Sequence, residues 1–535
     1  MIHTVRRCRL PSTGTPLLKP ASTYRGSPCY RRLHTRPTTQ TLAQDVPTAA
    51  TISSQAVKQV ASAIPNILPP LPSSISTTSH LSFPALLKTY LITACTSSKL
   101  VLTPSIKILS AIAYSKTILL SPDRNPILHF LLKHTIYRQF CAGETPAEVR
   151  STLARLQSTG IKGIILCYAR EIELRKGQSL ASIQDEAASR KEIEAWAKGT
   201  LETIETVPRD NFVAIKYVPC LPWLCITNND RFSGAGALIL HHLKNHLPPP
   251  PLFHEHLQTI CTLAHSRGIR LCIDAEQSHF QDQIDAWTLD LQRQFNKPNS
   301  GNINQEPWAC IYTTFQCYLR NVSTNLARHL EIAQKEGFVL GAKLVRGAYL
   351  TTEPREIIWA TKEETDRAYD RVAEALITRS WDNLAVAEAG PFSSSAFPKV
   401  DLVLASHNLE SSRKGLALRR AQASRHEPRI SMVYAQLQGM ADHVTGELVG
   451  AASTAETELA MSTTATPGSG GLDRKIEVEV PVVCKYLVWG TVGECSKYLV
   501  RRAEENRDAV ARTVEARRAL GKDIWKRLWK TANTV

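Results

Sequence analysis

Residues 339–349 read Val-Leu-Gly-Ala-Lys-Leu-Val-Arg-Gly-Ala-Tyr, a short apolar run that ends in polar residues. A helical pattern precedes this run at 322–336, and a second helical pattern follows it at 363–378. An apolar β-run between two amphipathic helices is the repeating unit of a parallel sheet. This stretch therefore predicts an α/β fold.

The same unit recurs along the chain. Eight β-rich runs are found, at 164–168, 213–218, 270–274, 310–316, 339–345, 401–405, 430–435 and 482–487. Other helical patterns lie between them, at 147–159, 186–205, 252–267 and 411–422. Eight strands alternating with helices favour a closed (β/α)8 TIM-type barrel over an open sheet. We expect the barrel to carry an N-terminal helical extension and a disordered targeting segment.

The charge of the chain is concentrated at its beginning. The formal net charge is +16, and residues 1–122 contribute +12 of it, with thirteen Lys or Arg and a single acid, Asp45. The folded part therefore has no evident basic stripe, which argues against nucleic acid as a partner. Arginines among Ser, Thr and Pro, with no acid before Asp45, are typical of a mitochondrial presequence.

These features divide the chain into five predicted segments. They are a targeting segment at 1–45, a disordered linker at 46–82, an N-terminal helical extension at 83–121, the barrel at 122–520 and a C-terminal tail at 521–535. Four lysines interrupt the apolar stretch 83–120, so a membrane-spanning helix is not expected there. Surface helices facing lipid headgroups and ordinary packed helices both remain open. Residues 462–471 are predicted to form a surface loop.

The thirteen cysteines show no CxxC pair and no regular spacing. This pattern predicts neither a metal site nor a disulfide framework, and buried reduced thiols are the simpler interpretation.

Polar residues stand at the ends of seven of the eight predicted strands. Barrel enzymes place their chemistry at the carboxyl ends of the strands, so these residues are predicted to meet at one rim. Taken singly, Lys216 or Asp274 would equally fit a structural ion pair, and His407 a core histidine. The residues are Lys216, Asp274, Glu276, Gln316, Lys343, His407, Gln436, Lys485 and Tyr486.

The last helical pattern carries two adjacent arginines, Arg501 and Arg502. Tyr498 and Glu505 share a face with them, since side chains at i, i+3, i+4 and i+7 align on a helix. Two guanidinium groups side by side suit a carboxylate, and Glu505 could hold both in place. A solvated face with an intrahelical ion pair is the alternative.

Over about residues 125–507, the ordered set of these motifs resembles the proline dehydrogenase family, including the catalytic domain of its bifunctional bacterial members. The motifs are Asp274-Ala275-Glu276, the run 343–349, Ser406-His407-Asn408, Gln438-Gly439-Met440 and the arginine helix. The resemblance implies FAD bound at the barrel rim, and the chain lacks a convincing GxGxxG motif. The implied FAD contacts are Gln316, Lys343, Val345, Gly347, Thr361, Lys362, Ser406, His407 and Asn408.

The resemblance also implies the substrate and the reaction. Arg501 and Arg502 are expected to bind the carboxylate of L-proline, with Glu505 orienting them. Lys216, Asp274, Tyr349, Tyr486 and Tyr498 are expected to close around the ring. A hydride would pass from proline C5 to flavin N5 to give Δ1-pyrroline-5-carboxylate, the first step of proline catabolism. Ubiquinone at the inner mitochondrial membrane is the implied electron acceptor, with peripheral association on the matrix side or the membrane surface.

Three features of the sequence depart from the family pattern. Lys343 stands where bacterial members have arginine, Val488 and Trp489 precede Gly490 where Pro and an aromatic residue are usual, and the stretch 445–475 is long. A Schiff-base aldolase using Lys216 or Lys343 remains an alternative, as does a barrel that has lost catalysis and serves as a binding partner. Neither alternative accounts for the paired arginines beside Glu505.

Overall fold

The structure is a computed structural model. It describes residues 99–115, 117–170, 186–217, 232–297, 306–384, 396–464 and 477–506, together with scattered residues within 83–94, 172–176 and 517–529. All of them belong to one compact unit, residues 74–535. The predicted targeting segment and linker lie outside the described residues.

Eight parallel strands of the described chain form a closed barrel. Each strand pairs with the next one along the chain, and the eighth pairs with the first. The predicted TIM-type barrel is therefore confirmed. The strands are β1 Gly163–Tyr168, β2 Phe212–Ile215, β3 Arg270–Ile273, β4 Ile311–Gln316, β5 Leu340–Val345, β6 Val400–Ala405, β7 Ser431–Leu437 and β8 Val483–Trp489.

Helices cover the barrel and also precede it. They are α1 Lys99–Ala113, α2 Pro126–Leu132, α3 Pro146–Gln157, α4 Glu186–Thr206, α5 Ala235–Lys244, α6 Pro251–Arg267, α7 Ser278–Phe295, α8 Val322–Glu336, α9 Lys362–Thr378, α10 Leu409–Ser424, α11 Asp442–Thr464 and α12 Val492–Asn506. A π-helical turn, Lys133–Tyr137, continues α2. Residues 462–464 complete α11, so the predicted loop is wrong there, and residues 465–471 lie outside the described residues. None of the described helices is long and apolar enough to cross a bilayer.

Alternate strand residues enter two different parts of the core. Ile165, Phe212, Cys272, Tyr312 and Tyr486 belong to one buried cluster. Their neighbours along the same strands pack in clusters that include the surrounding helices. Successive side chains of a strand point to opposite faces, so the first cluster is the inside of the barrel.

The helix α1 packs against α12, the last helix of the barrel. Leu102, Ile106 and Ala113 are buried on α1, and Leu109 and Ile112 pack on the cluster that contains Tyr498. The helix agrees with the predicted N-terminal extension, whose limits remain a prediction. The extension thus supports the helix that carries Arg501 and Arg502.

Candidate active site

A buried triangle of Asp274, Lys343 and Tyr486 lies at the carboxyl end of the barrel. Asp274 follows β3, Lys343 stands on β5 and Tyr486 on β8, so these strands converge on one point inside the barrel. Lys343 Nζ lies 2.5 Å from Asp274 Oδ1, and the Tyr486 hydroxyl donates to Asp274 Oδ2 at 2.9 Å. Lys343 Nζ also stands 5.1 Å from the centroid of the Tyr486 ring.

The pKa values of the three groups in this triangle are shifted in the directions that favour one protonation state for each group. Burial by itself raises the pKa of the Asp274 carboxyl, but the Lys343 and Lys216 cations and the two hydrogen bonds bring that pKa below its ordinary value. Burial lowers the pKa of Lys343, and the Asp274 carboxylate more than reverses this. Burial, followed by the Asp274 charge, raises the pKa of the Tyr486 phenol well above its usual range. At neutral pH the site therefore contains a carboxylate, an ammonium and a neutral phenol.

Lys216 and Tyr498 lie beside the triangle. Lys216 directly follows β2 and is half-buried, and its charge acts on both Asp274 and Tyr498. Burial raises the pKa of the Tyr498 phenol, while the Arg502 and Lys216 cations oppose this effect. Tyr498 is buried and also influences Tyr486. Tyr498, which is a residue of α12, therefore lies at the mouth of the barrel.

The two arginines of α12 are placed differently with respect to these contacts. The guanidinium carbon of Arg502 stands 5.5 Å from the Tyr498 ring centroid, so Arg502 lies beside Tyr498, on which the Lys216 charge also acts. Arg501 is half-buried on the same turn. Glu505 lies on α12, but its side chain is outside the described part of the structure. The structure thus places Arg502 beside Tyr498, and the roles of Arg501, Arg502 and Glu505 remain predictions.

Tyr349, predicted to contact the substrate, donates its hydroxyl proton to the Glu276 carboxylate. Glu276 is buried, and its backbone is held on both sides: its N–H donates to Gln281 Oε1 at 2.8 Å, and its carbonyl accepts from Gln316 Nε2 at 2.8 Å. Gln316 is therefore at the rim, where it was predicted. Glu276 was recognised as part of a motif but was given no role, because its partner Tyr349 lies 73 residues further along the chain.

A polar row on α7 stands behind Glu276. Gln281 Nε2 donates to Asp285 Oδ1 at 2.8 Å, and Asn325 Nδ2 donates to Asp285 Oδ2 at 3.0 Å. Burial raises the pKa of Asp285 to about 6 and lowers the pKa of the neighbouring His329 to about 3. These residues were not predicted as functional. Gln281 holds the Glu276 backbone N–H, and Asp285 holds Gln281 in turn.

The predicted flavin contacts on β5 and β6 surround Arg346. The Arg346 guanidinium donates to Asp366 Oδ1 at 2.7 Å, Ser406 Oγ at 2.6 Å and Ser411 Oγ at 2.8 Å. His407 Nε2 accepts from the Leu437 N–H at 3.1 Å. Val345 ends β5, and Gly347 has a φ of +132°, with the Tyr318 ring so close that a Cβ would clash with it.

Two further predicted flavin contacts begin helices. Thr361 caps α9 in a capping box with Glu364, and Asn408 caps α10 by accepting from two backbone N–H groups. Lys362 is exposed and pairs with Asp366. The N-termini of α9 and α10 thus lie at the same rim as Arg346, Ser406 and Lys362.

Two strand-end residues do not join the site. Lys485 is buried and pairs with Asp442 of α11 at 2.9 Å, and Gln436 Oε1 accepts from Thr445 at 3.1 Å. Placing them at the mouth of the barrel was wrong, because each is the neighbour of an inward residue and therefore faces the helices. They fasten α11 to the barrel instead.

The segment before β1 passes over the carboxyl end of β8. The Tyr137 hydroxyl donates to the Gly490 carbonyl at 2.7 Å, and the Ala142 N–H donates to the Val488 carbonyl at 2.7 Å. Trp489 is buried and donates from Nε1 to Thr203 of α4 at 2.8 Å. Trp489 therefore packs on the outside of the barrel. The residues around 137–142 cover the carboxyl end of β8.

A cleft of about 570 Å³ opens at the opposite, amino-terminal end of β7 and β8. It is lined by an ion-pair network in which Glu479 bonds both Arg419 and Arg429. Its charges are matched with one another, and it contains none of the predicted site residues. In the described part of the chain, no cluster of His, Cys, Asp or Glu could hold a metal ion.

The closed barrel and the charged rim at its carboxyl end define an enzyme of the (β/α)8 class. A model of the proline dehydrogenase family matches residues 149–515, and the chain belongs to this family. The predicted family and its assignment as an oxidoreductase are therefore confirmed.

Individual relatives agree with this assignment. The chain is 29% identical over 420 residues to a protein of Schizosaccharomyces pombe named probable proline dehydrogenase, mitochondrial, covering 72% of this chain and 78% of the relative. It is 26% identical to the hydroxyproline dehydrogenase of Mus musculus, covering 74% of this chain and 83% of the relative. The name of the Schizosaccharomyces pombe relative agrees with the mitochondrial location predicted from the first residues.

A solved structure shares the fold. It is proline utilization A from Bdellovibrio bacteriovorus, inactivated by N-propargylglycine, with a TM-score of 0.51 and 15% identity. The match covers 85% of this chain and 41% of the bacterial chain. This likeness supports the barrel fold alone.

Proposed function

We propose that this chain oxidises L-proline to Δ1-pyrroline-5-carboxylate, with FAD as the hydride acceptor, as the first step of proline catabolism. The observation that carries the proposal is the convergence of Asp274, Lys343 and Tyr486 at the mouth of the barrel, next to Tyr498 and Arg502. Such an arrangement offers a cation for a carboxylate and a buried, preorganised surface for a small ring.

The residues at the β4–β6 rim fit a flavin dinucleotide. Its pyrophosphate requires cations and N–H donors, and the rim offers Lys362, Arg346 and the N-termini of α9 and α10. Lys343 and Gln316 lie deeper, where they would meet the ring system. The full proposed set is Gln316, Lys343, Val345, Gly347, Thr361, Lys362, Ser406, His407 and Asn408. When bound, FAD supplies an acceptor at N5 for the hydride leaving proline C5.

The other residues bind and orient the substrate. Arg501 and Arg502 are proposed to form charge-assisted hydrogen bonds with the proline carboxylate, with Glu505 orienting them. Lys216, Asp274, Tyr349, Tyr486 and Tyr498 surround the ring and exclude water from it. A neutral amine releases a hydride more readily than an ammonium, so turnover should rise at mildly alkaline pH.

Tyr486 favours proline over hydroxyproline. Its ring is buried, and its hydroxyl is bound to Asp274, so its position is fixed. A large, fixed ring next to the substrate leaves little room for an additional hydroxyl group. This residue supports L-proline as the substrate even though some relatives are named hydroxyproline dehydrogenases.

The geometry disfavours a Schiff-base aldolase that uses Lys343. A nucleophilic lysine needs a neutral amine, whereas the Asp274 carboxylate raises the pKa of Lys343 and keeps it protonated.

The chain is further proposed to act in mitochondria, on the matrix side or the surface of the inner membrane, and to pass electrons to ubiquinone. The composition of residues 1–45 and the names of the relatives support this location.

An anaerobic titration tests the reaction. The protein is purified, its flavin absorbance is recorded, and L-proline is added without oxygen. Bleaching of the flavin absorbance by L-proline, with formation of the pyrroline product, supports the proposal. A colourless protein, or a flavin that proline leaves oxidised, would contradict it, and either result would favour an aldolase or an inert barrel.

A further inference from the structure

A helix near the end of the chain packs against the N-terminal extension through one of its faces. Residues 520–527 are helical, as are Arg517, Arg518 and Trp529, and we call these described residues the terminal helix. Leu520 and Asp523 are buried on its inner side. Gly521 lies against Tyr90, whose ring would be 3.4 Å from a Cβ at this position.

The opposite face of the terminal helix is exposed. It carries Arg518, Lys522, Trp525, Lys526 and Trp529, and their spacing of three and four residues aligns them in one row. Trp525 is 66% exposed and Trp529 is 60% exposed, with their ring centroids 6.2 Å apart. Two large aromatic side chains left together in water indicate a surface that is normally covered.

The charge of this face has one sign. Asp523 is the only acid in residues 517–529, and it is buried on the inner side. The neighbouring segment that carries Tyr90 adds exposed apolar side chains, Phe83, Leu87 and Leu91, which repeat every four residues. The two neighbouring segments therefore expose cationic, aromatic and aliphatic side chains.

We propose that the exposed face of the terminal helix docks on a bilayer rich in anionic phospholipids. Tryptophan is favoured at the level of the lipid headgroups, and lysine and arginine are attracted to anionic lipids. A nucleic acid or an acidic protein would match the cations but leave the leucines without a partner. A second copy facing this row would bring like charges together.

This inference deepens the membrane part of the proposed function, and it makes no use of the residues proposed for the reaction. The oxidation of proline and the docking on lipid can therefore succeed or fail independently.

The full chain is tested by flotation with vesicles of phosphatidylcholine, with or without phosphatidylglycerol. We expect binding to the anionic vesicles, and we expect salt to weaken it. Lys522→Gln with Lys526→Gln should reduce partitioning about fivefold for each charge removed, on the order of 25-fold together. Trp525→Ser with Trp529→Ser should also detach the protein. Matched controls are the exposed Lys335→Gln on α8 and Met461→Ser on α11, which should float like the unmodified protein.

Proline oxidation with a soluble dye, measured without lipid, should be unchanged in both double variants. If both variants float like the unmodified protein, or if neutral vesicles bind it equally well, the proposal is overturned. It is also overturned if the tryptophan variant changes the oligomeric state in sedimentation while vesicle binding persists, because the face would then be an interface between copies.

Discussion

Replacing Lys343 with methionine leaves Asp274 as a buried carboxylate without its closest cation. The side chains of Lys343 and Asp274 are 7% and 13% exposed, and 2.5 Å separates the two charged groups. Removing one partner of a buried pair costs about 3–5 kcal/mol. Tyr486 would still donate to Asp274, and Lys216 would still act on it, so we expect a loss of about 3 kcal/mol, near the lower limit.

Urea unfolding at neutral pH measures this loss. Adding Asp274→Asn to Lys343→Met removes the remaining charge, so the double variant should lose less free energy of unfolding than the sum of the single losses, by about 1–3 kcal/mol. Lys335→Met, at a side chain that is 76% exposed, is the control and should change stability by less than about 0.5 kcal/mol. A Lys343→Met loss below about 1 kcal/mol, or additive single losses, would refute the reasoning that the pair is buried and coupled.

Two further predictions concern specificity and acid stability. Tyr486→Ser should raise the ratio of hydroxyproline to proline oxidation by about tenfold or more, because it frees space beside Asp274. Anaerobic flavin reduction with both substrates measures this ratio. An unchanged ratio would count against Tyr486 as the residue that selects proline. His329 is buried with its pKa lowered to about 3, so the unfolded chain takes up this proton first. The contribution of His329 to the free energy of unfolding therefore falls as the pH drops from about 6.5 to 3, by up to about 5 kcal/mol, while Asp285, with its pKa raised to about 6, opposes this fall between about pH 6 and 4. His329→Asn should flatten this fall in urea unfolding curves recorded across that range, and an equally steep fall would show that other groups cause it.

The strands of the barrel could be predicted because each is a short apolar run between helices. The predicted strand 339–345 differs by one residue from β5. The helix α7 was not among the predicted helices, although Phe280, Ile284, Trp287 and Leu291 give it a buried apolar face at helical spacing. Polar residues, Gln281, Asp285 and Gln292, are buried beside this apolar row and interrupt the pattern. Gln292 donates to the Ile311 and Gly341 carbonyls of the barrel, which adds to the apolar contacts of the helix.

The site could be predicted in part. Asp274 and Tyr486 are 212 residues apart, so no local pattern shows their hydrogen bond, but their common place at strand ends and the family resemblance brought them together. The same rule failed for Lys485, since one step along a strand turns a side chain from the inside of the barrel to the outside. The role of Glu276 depends on Tyr349, which lies 73 residues further along the chain, and was missed for that reason.

The arginines of α12 are proposed to bind the substrate at the mouth of the barrel. The dissociation constant for L-proline, from anaerobic titration of the flavin absorbance, tests this in Arg501→Met and Arg502→Met. We expect each variant to keep its flavin and to bind proline more weakly by roughly 2–5 kcal/mol, since a desolvated carboxylate loses its charge-assisted hydrogen bonds. An unchanged dissociation constant in both variants would contradict the account.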